Sequence, residues 1–263
     1  MNLNGKVKIV FFDFDWTLFD HRTYEIKPST LKAINLLKDN GIKIVINTGR
    51  SYYSLLEKDI VKEIKPDALV VANGGAALID NQVLYAHYFD EKEQNDLLNF
   101  LDKNKYSYGI ITLYTTYGKT FERGNVDKFF NSFDEPRSKD IKEYKNEKIL
   151  SVTAFVNDDE AENIKNNFKS FNFSNFFGPC IEIRKKEFLK QEGVRAILNH
   201  FGFKKDEAIA FGDDTNDIDM FNEVKYSVAV GNAKNELKNV ATFVTKDIDD
   251  DGIFYILKEL NLI

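Results

Sequence analysis

The sequence predicts an α/β protein: a parallel-sheet core carrying an inserted α+β domain. Short β-branched runs alternate with helical patterns over residues 1–81, and the same alternation resumes from residue 185 to the end at 263. The stretch between, residues 82–184, is richer in Phe, Tyr, Asn and Lys and mixes strand-like with helical runs. The expected organisation is therefore a discontinuous core, 1–81 with 185–263, interrupted by a domain at 82–184.

Lys6 to Phe12 is a β-branched and aromatic run that stops at an acidic, turn-like segment, so it reads as a buried strand with Asp13 at its C-terminal end. Ser29 precedes Leu31, Ile34 and Leu37 at helical spacing, and Gly41 supplies a stop signal. Ile42 to Ile46 is a second strand. A helix through Leu55 and Leu56 leads to a third, Ala68 to Ala72, which ends in Asn73, Gly74 and Gly75. In the middle, Tyr108 to Tyr114 and Ile149 to Val156 are strand-like, and Phe171 to Phe177 reads as a turn-rich packing segment. Beyond it, Val194, Ile197, Leu198 and Phe201 mark a helix face, and Ala208 to Phe211 forms a short strand before Gly212 and Asp213. Strands at Val228 to Val230 and Thr242 to Thr245 continue the rhythm, and Gly252 through Leu260 closes it with a helix.

Composition bounds the function. Hydrophobic residues at 43% and charged residues at 30% describe a chain that folds around a real core. A net charge of -6 and a pI near 5.3 argue against a nucleic-acid surface. The single Cys180 forms no internal disulfide, and the N-terminus lacks a secretory layout, which fits the cytoplasm. No apolar run approaches the roughly 20 residues a bilayer needs, so no membrane partner is expected. Oligomeric state is left open, a monomer included.

In parallel sheets, ligands bind beyond the carboxyl ends of the strands. Asp13 and Asp15 fall there after the first strand, Thr48 after the second and Asp213 after the strand near residue 210, with Lys190 joining from the start of a helix. Carboxylates gathered in one place repel, and magnesium is the ordinary way to make them tolerable. Thr48 and Lys190 add a hydroxyl and a positive charge suited to phosphate oxygens. Taken singly, each feature has a plainer reading: turn carboxylates, a capping threonine, a solvated lysine, an acidic helix start. Asp247, Asp249, Asp251 and Gly252 match the front of a calcium loop, but Lys258 stands where the bidentate Glu is needed, so the run is expected to cap the last helix. His21, His87 and His200 have no metal-building spacing and read as surface or packing residues, and Cys180 as a small buried one.

Together, Asp13-Phe14-Asp15-Trp16-Thr17, then Thr48-Gly49-Arg50, then Lys190, then Gly212-Asp213-Asp214-Thr215-Asn216-Asp217 resemble the ordered motifs of the haloacid dehalogenase (HAD) superfamily. Within it the chain is similar to the Cof-type sugar phosphatases, which carry a C2B-type α/β cap. The resemblance implies a Rossmann-like core with a cap at 82–184 that determines substrate specificity. It implies Asp13 as nucleophile and Asp15 as general acid and base. Magnesium would be held by Asp13, the backbone carbonyl of Asp15, Asp213 and Asp217, and phosphoryl oxygens by Thr48, Gly49, Lys190 and Asn216. The sequence departs from the pattern at Trp16, where glycine is usual: the indole either points away from the metal or narrows the substrate entrance. The expected activity is magnesium-dependent hydrolysis of small phosphorylated metabolites, sugar phosphates foremost. Its alternatives are a non-enzymatic binding module on the same fold and a phosphosugar mutase.

Overall fold

A computed structural model describes residues 1–57, 60–121, 138–175, 179–187 and 189–263. The chain forms two compact units, the first made of residues 1–49, 60–85 and 189–263, the second of 50–59 and 86–188.

The first unit is built on an eight-stranded sheet. Its order from edge to edge is Phe243–Val244, Tyr226–Ala229, Ala208–Gly212, Ile9–Phe12, Lys43–Asn47, Ala68–Val71, Ala76–Ile79 and Gln82–Ala86. The strands from Phe243–Val244 to Ala68–Val71 are parallel, and Ala76–Ile79 returns antiparallel. Every residue of Ile9–Phe12 and Ala208–Gly212 is buried, which accounts for runs without polar alternation. Phe12 pairs in register with Phe211 on one side and Ile46 on the other, so the residues that follow these strands emerge at one end of the sheet.

The helix Pro28–Asp39 begins two residues earlier than a cap at Ser29 would set it, with Lys27 at the N-cap, Pro28 in its first turn and no side-chain cap. The Ser29 hydroxyl instead donates to Asp251 Oδ1 at 2.6 Å. Gly41 ends the helix at φ +76°, the left-handed conformation that glycine adopts without penalty. The acidic run near the C-terminus also serves differently from expectation. Asp251 precedes the helix Gly252–Glu259 without capping it, while Asp247 and Asp249 pair with Arg22.

The second unit carries a six-stranded sheet ordered Lys139–Asp140, Thr116–Lys119, Ser107–Thr112, Ile149–Phe155, Cys180–Lys185 and Phe171–Asn175, all antiparallel neighbours except the first pair. Its helices Glu91–Lys103 and Asp158–Asn167 start at capping boxes, Asp90 with Glu93 and Asn157 with Glu160. One sheet face supplies Ile110, Val152, Ala154 and Ile183 to a core with Leu97 and Leu101. Period-two alternation gives the other face Ser151, Thr153 and Glu182, which are buried as well. The expected packing segment is the strand Phe171–Asn175, and its last two positions, 176 and 177, lie outside the described residues. Cys180 is buried. Among the described residues, no helix is long and apolar enough to cross a membrane.

Candidate active site

Sheet register sets the site. The Asp13 amide donates to Phe211 O at 2.9 Å, extending the first strand by one bond and placing Asp13 beside the segment that follows Ala208–Gly212. Lys190 opens the helix Lys190–Phe201, and its carbonyl accepts from Asn47 Nδ2 at 3.2 Å. Close approach of that helix depends on Gly193, where an added Cβ would meet Val70 Cγ1 at 2.3 Å.

These constraints gather Asp13, Lys190, Asp213 and Asp217. Lys190 Nζ lies 2.6 Å from Asp13 Oδ1 and 2.6 Å from Asp217 Oδ1, with all three side chains buried. Asp217 turns its other oxygen back on its own loop, accepting from the amides of Asp213 at 3.0 Å and Asp214 at 3.2 Å. Thr17 Oγ1 donates to Asp213 Oδ1 at 3.0 Å. Asp13, Asp213 and Asp217 each offer an oxygen within 4.8 Å of the others.

Three carboxylates face one ammonium, so negative charge is in excess. Burial drives Asp13 well above the usual carboxylate range; Lys190 opposes this, while Asp217 and Asp213 reinforce it. Asp213 is pushed up to about 7, by burial first and then by Asp217. Burial pulls on Lys190 in the opposite sense, but Asp13 and Asp217 outweigh it and hold the ammonium above its ordinary range. Such a cluster binds either protons or a cation. A set of hard carboxylate oxygens at this spacing fits a divalent metal ion, with Asp13, Asp213 and Asp217 as the residues that would hold it.

Thr48, Gly49 and Asn216 meet through a residue that sequence reading treated only as the end of a strand. Thr48 donates its amide to Val70 O at 2.9 Å and accepts from the Asn73 amide at 3.0 Å. The Asn73 side chain accepts from Asn216 Nδ2 at 3.2 Å and lies 3.1 Å from where a Cβ on Gly49 would stand. Ala72, Asn73 and Gly74 all have positive φ, at 50°, 51° and 92°. The sequence signal was the Asn-Gly-Gly run; its turn-forming character was legible, its aim was not.

Asp15 is not one of the three clustered carboxylates; it lies in a closed loop where Phe14 O accepts from the amides of Thr17, Leu18 and Phe19. His21 Nε2 sits 2.6 Å from Asp15 Oδ1, a contact the wide spacing of the histidines did not suggest. Trp16 explains the usual glycine: its φ is 61°, where an L-residue is strained by about 1–2 kcal/mol. Trp16 is 39% exposed, and its indole packs 5.1 Å from the His21 ring, with Asn232 Nδ2 donating to the Trp16 carbonyl at 2.7 Å.

Residues 10–257 match the model of the haloacid dehalogenase-like hydrolases. YkrA of Bacillus subtilis (strain 168) is 31% identical over 97% of this chain and 98% of its own. Phosphoglycolate phosphatase 1 of Saccharolobus solfataricus is 27% identical over 94% of this chain and 92% of its own. Among solved structures, the HAD subclass IIB sugar phosphatase BT4131 superposes with a TM-score of 0.80 at 28% identity, covering 98% of this chain and all of that one.

Proposed function

The chain belongs to the haloacid dehalogenase-like hydrolases and is a phosphatase of that family, and from that premise we propose magnesium-dependent hydrolysis of small phosphorylated metabolites, sugar phosphates foremost, through an aspartyl-phosphate on Asp13. The observation that carries this reading is Lys190 held between Asp13 and Asp217, with Asp213 alongside. A buried ammonium beside a nucleophilic carboxylate suits a reaction that brings further negative oxygens to the same place.

In the first half-reaction an Asp13 oxygen attacks phosphorus as the ester P–O bond breaks. Asp15, protonated, gives its proton to the departing alkoxide oxygen. In the second, the Asp15 carboxylate takes a proton from water, the water oxygen attacks phosphorus, and the bond to Asp13 breaks to release inorganic phosphate. Lys190 neutralises charge on the phosphoryl oxygens, while Thr48, Gly49 and Asn216, tied together by Asn73, bind them. Magnesium, when bound, supplies positive charge against those oxygens and against the carboxylates that hold it. Asp13, the Asp15 carbonyl, Asp213 and Asp217 are the proposed holders.

These residues all belong to the first unit, so we assign selection among substrates to the second, residues 50–59 and 86–188, which overlaps the stretch 82–184 expected to be an inserted domain. A cytoplasmic location suits the one buried cysteine. The test is release of inorganic phosphate from a panel of phosphorylated metabolites with magnesium, for the parent and for Asp13→Asn. Activity in the parent and none in the variant is expected. An inert parent that binds phosphorylated ligands would replace the enzyme with a binding module, and an acceptor-dependent phosphorylated product would make it a mutase.

A further inference from the structure

Two neighbouring features lie outside the residues given roles above. Trp16 holds a left-handed backbone conformation that a bulky L-residue rarely adopts, and an observed outlier of this kind invites a search for what the side chain does there. The indole lies 5.1 Å from the His21 imidazole at an interplanar angle of 38°. Phe19 closes on the same imidazole edge-on at 5.0 Å and Tyr24 at 6.2 Å, so His21 sits in an aromatic enclosure. Its Nε2 is thereby directed at Asp15 Oδ1, 2.6 Å away. The loop beneath is fixed independently, by Phe19 O accepting from the Trp16 amide at 2.8 Å and by Asn232 donating to the Trp16 carbonyl.

Resting on the phosphatase reading, we infer that His21 is a positioning residue for Asp15, donating Nε2–H to Oδ1, and that Trp16 holds the imidazole in that pose. Asp15 is about one-third exposed, so the groups that touch it decide which rotamer it holds. A donor on Oδ1 fixes the carboxyl plane and favours its proton on the opposite oxygen. That proton then passes to the leaving alkoxide as the P–O bond breaks, with no further reactant needed. Proton transfer depends on such placement: a misplacement of about 1 Å costs about a hundredfold in rate.

The experiment compares the parent with His21→Ala, His21→Gln, Trp16→Gly and the double variant Trp16→Gly/His21→Ala, all checked for folding by thermal melts. Each is assayed in single turnover on an alkyl phosphate, glucose 6-phosphate, and on 4-nitrophenyl phosphate, whose leaving group departs without a proton. His21→Ala should lose about 10- to 100-fold on the alkyl ester, with KM and the nitrophenol burst rate changed less than about threefold. His21→Gln should recover most of the loss, because its amide nitrogen reaches the place of Nε2. Trp16→Gly should lose less than His21→Ala and add nothing to it in the double variant. Equal losses on both substrates, or glutamine no better than alanine, would overturn the positioning role. Additive losses in the double variant would overturn the part given to Trp16. A parent inert on both esters would instead remove the phosphatase reading, and this inference with it.

Discussion

A Cβ on Gly212 would stand 2.5 Å from Asp217 Oδ2, closer than any stable contact. The carboxylate that Lys190 and the Asp213 and Asp214 amides hold is therefore packed directly against the backbone of Gly212. Gly212→Ala should push Asp217 out of place, since its buried surroundings give it nowhere to relax. The expected cost is about 1–3 kcal/mol of stability, as for other overpacked sites, with loss of most phosphatase activity. Urea unfolding and phosphate release measure the two effects, and a variant unchanged in both would refute the tight fit.

Lys190→Met removes the one ammonium among three carboxylates. Breaking a buried pair from one side typically costs about 3–5 kcal/mol, because the remaining charges stay buried without compensation. The loss should be largest in EDTA and smaller in magnesium, where the ion supplies part of the missing charge. Urea midpoints in the two buffers test this; an identical deficit in both would separate Lys190 from the metal.

Magnesium itself should stabilise the parent. A ligand that binds only the folded chain adds about 2.7 kcal/mol at a hundred times its dissociation constant. The melting temperature should rise with magnesium concentration in the parent and remain flat in Asp213→Asn, where one carboxylate of the cluster is lost. A parent insensitive to magnesium would assign the cluster to Lys190 alone.

Glu182 offers a pH test within the second unit. It is buried in the second unit, 3.1 Å from Arg184 Nη1, and burial raises it above its usual 4.5 although Arg184 opposes the shift. The folded chain thus holds this proton more tightly than the unfolded chain. Stability from this residue is present below about 4.5 and is lost as pH rises through the folded value. Glutamine does not titrate, so the stability of Glu182→Gln relative to the parent should climb across that window and then level. Urea unfolding from pH 4 upward, in steps of about half a unit, reads the difference; a constant offset would contradict the buried-acid assignment.

The parallel sheet was legible because its strands are buried on both faces and so read as unbroken apolar runs, as at Ile9–Phe12 and Ala208–Gly212. Asp13, Lys190 and Asp213 followed, since each sits at a strand end or helix start that periodicity locates. The links made by side chains across distant segments were not legible. Asn73 looked like turn chemistry, and only the register of Val70 with Asn47 turns it toward Thr48 and Asn216. His21 has no spacing signal at all, because its partner is reached by a loop folding back through the Phe14 carbonyl. Trp16 was visible as a departure, but its positive φ and its packing on His21 are properties of that closed loop.

Asp15→Asn separates the two half-reactions. Asparagine keeps the size of the side chain and can still meet His21, so the fold should survive. It can neither protonate a leaving alkoxide nor take a proton from water. General acid and base catalysis is worth about 10² to 10⁴-fold, and turnover of sugar phosphates should fall by that order. With 4-nitrophenyl phosphate the first step needs no proton, so Asp13 should still be phosphorylated at close to the parent rate. Hydrolysis of the aspartyl-phosphate then lacks its base and becomes rate-limiting. Stopped-flow absorbance should show a burst of nitrophenolate near one equivalent per active site, followed by a slow steady state. Acid-quenched protein should carry the phosphate in a bond labile to hydroxylamine. Parent-like turnover of sugar phosphates in this variant would take the acid and base role from Asp15. A burst that is absent while turnover is slow would place the defect in the attack by Asp13 instead.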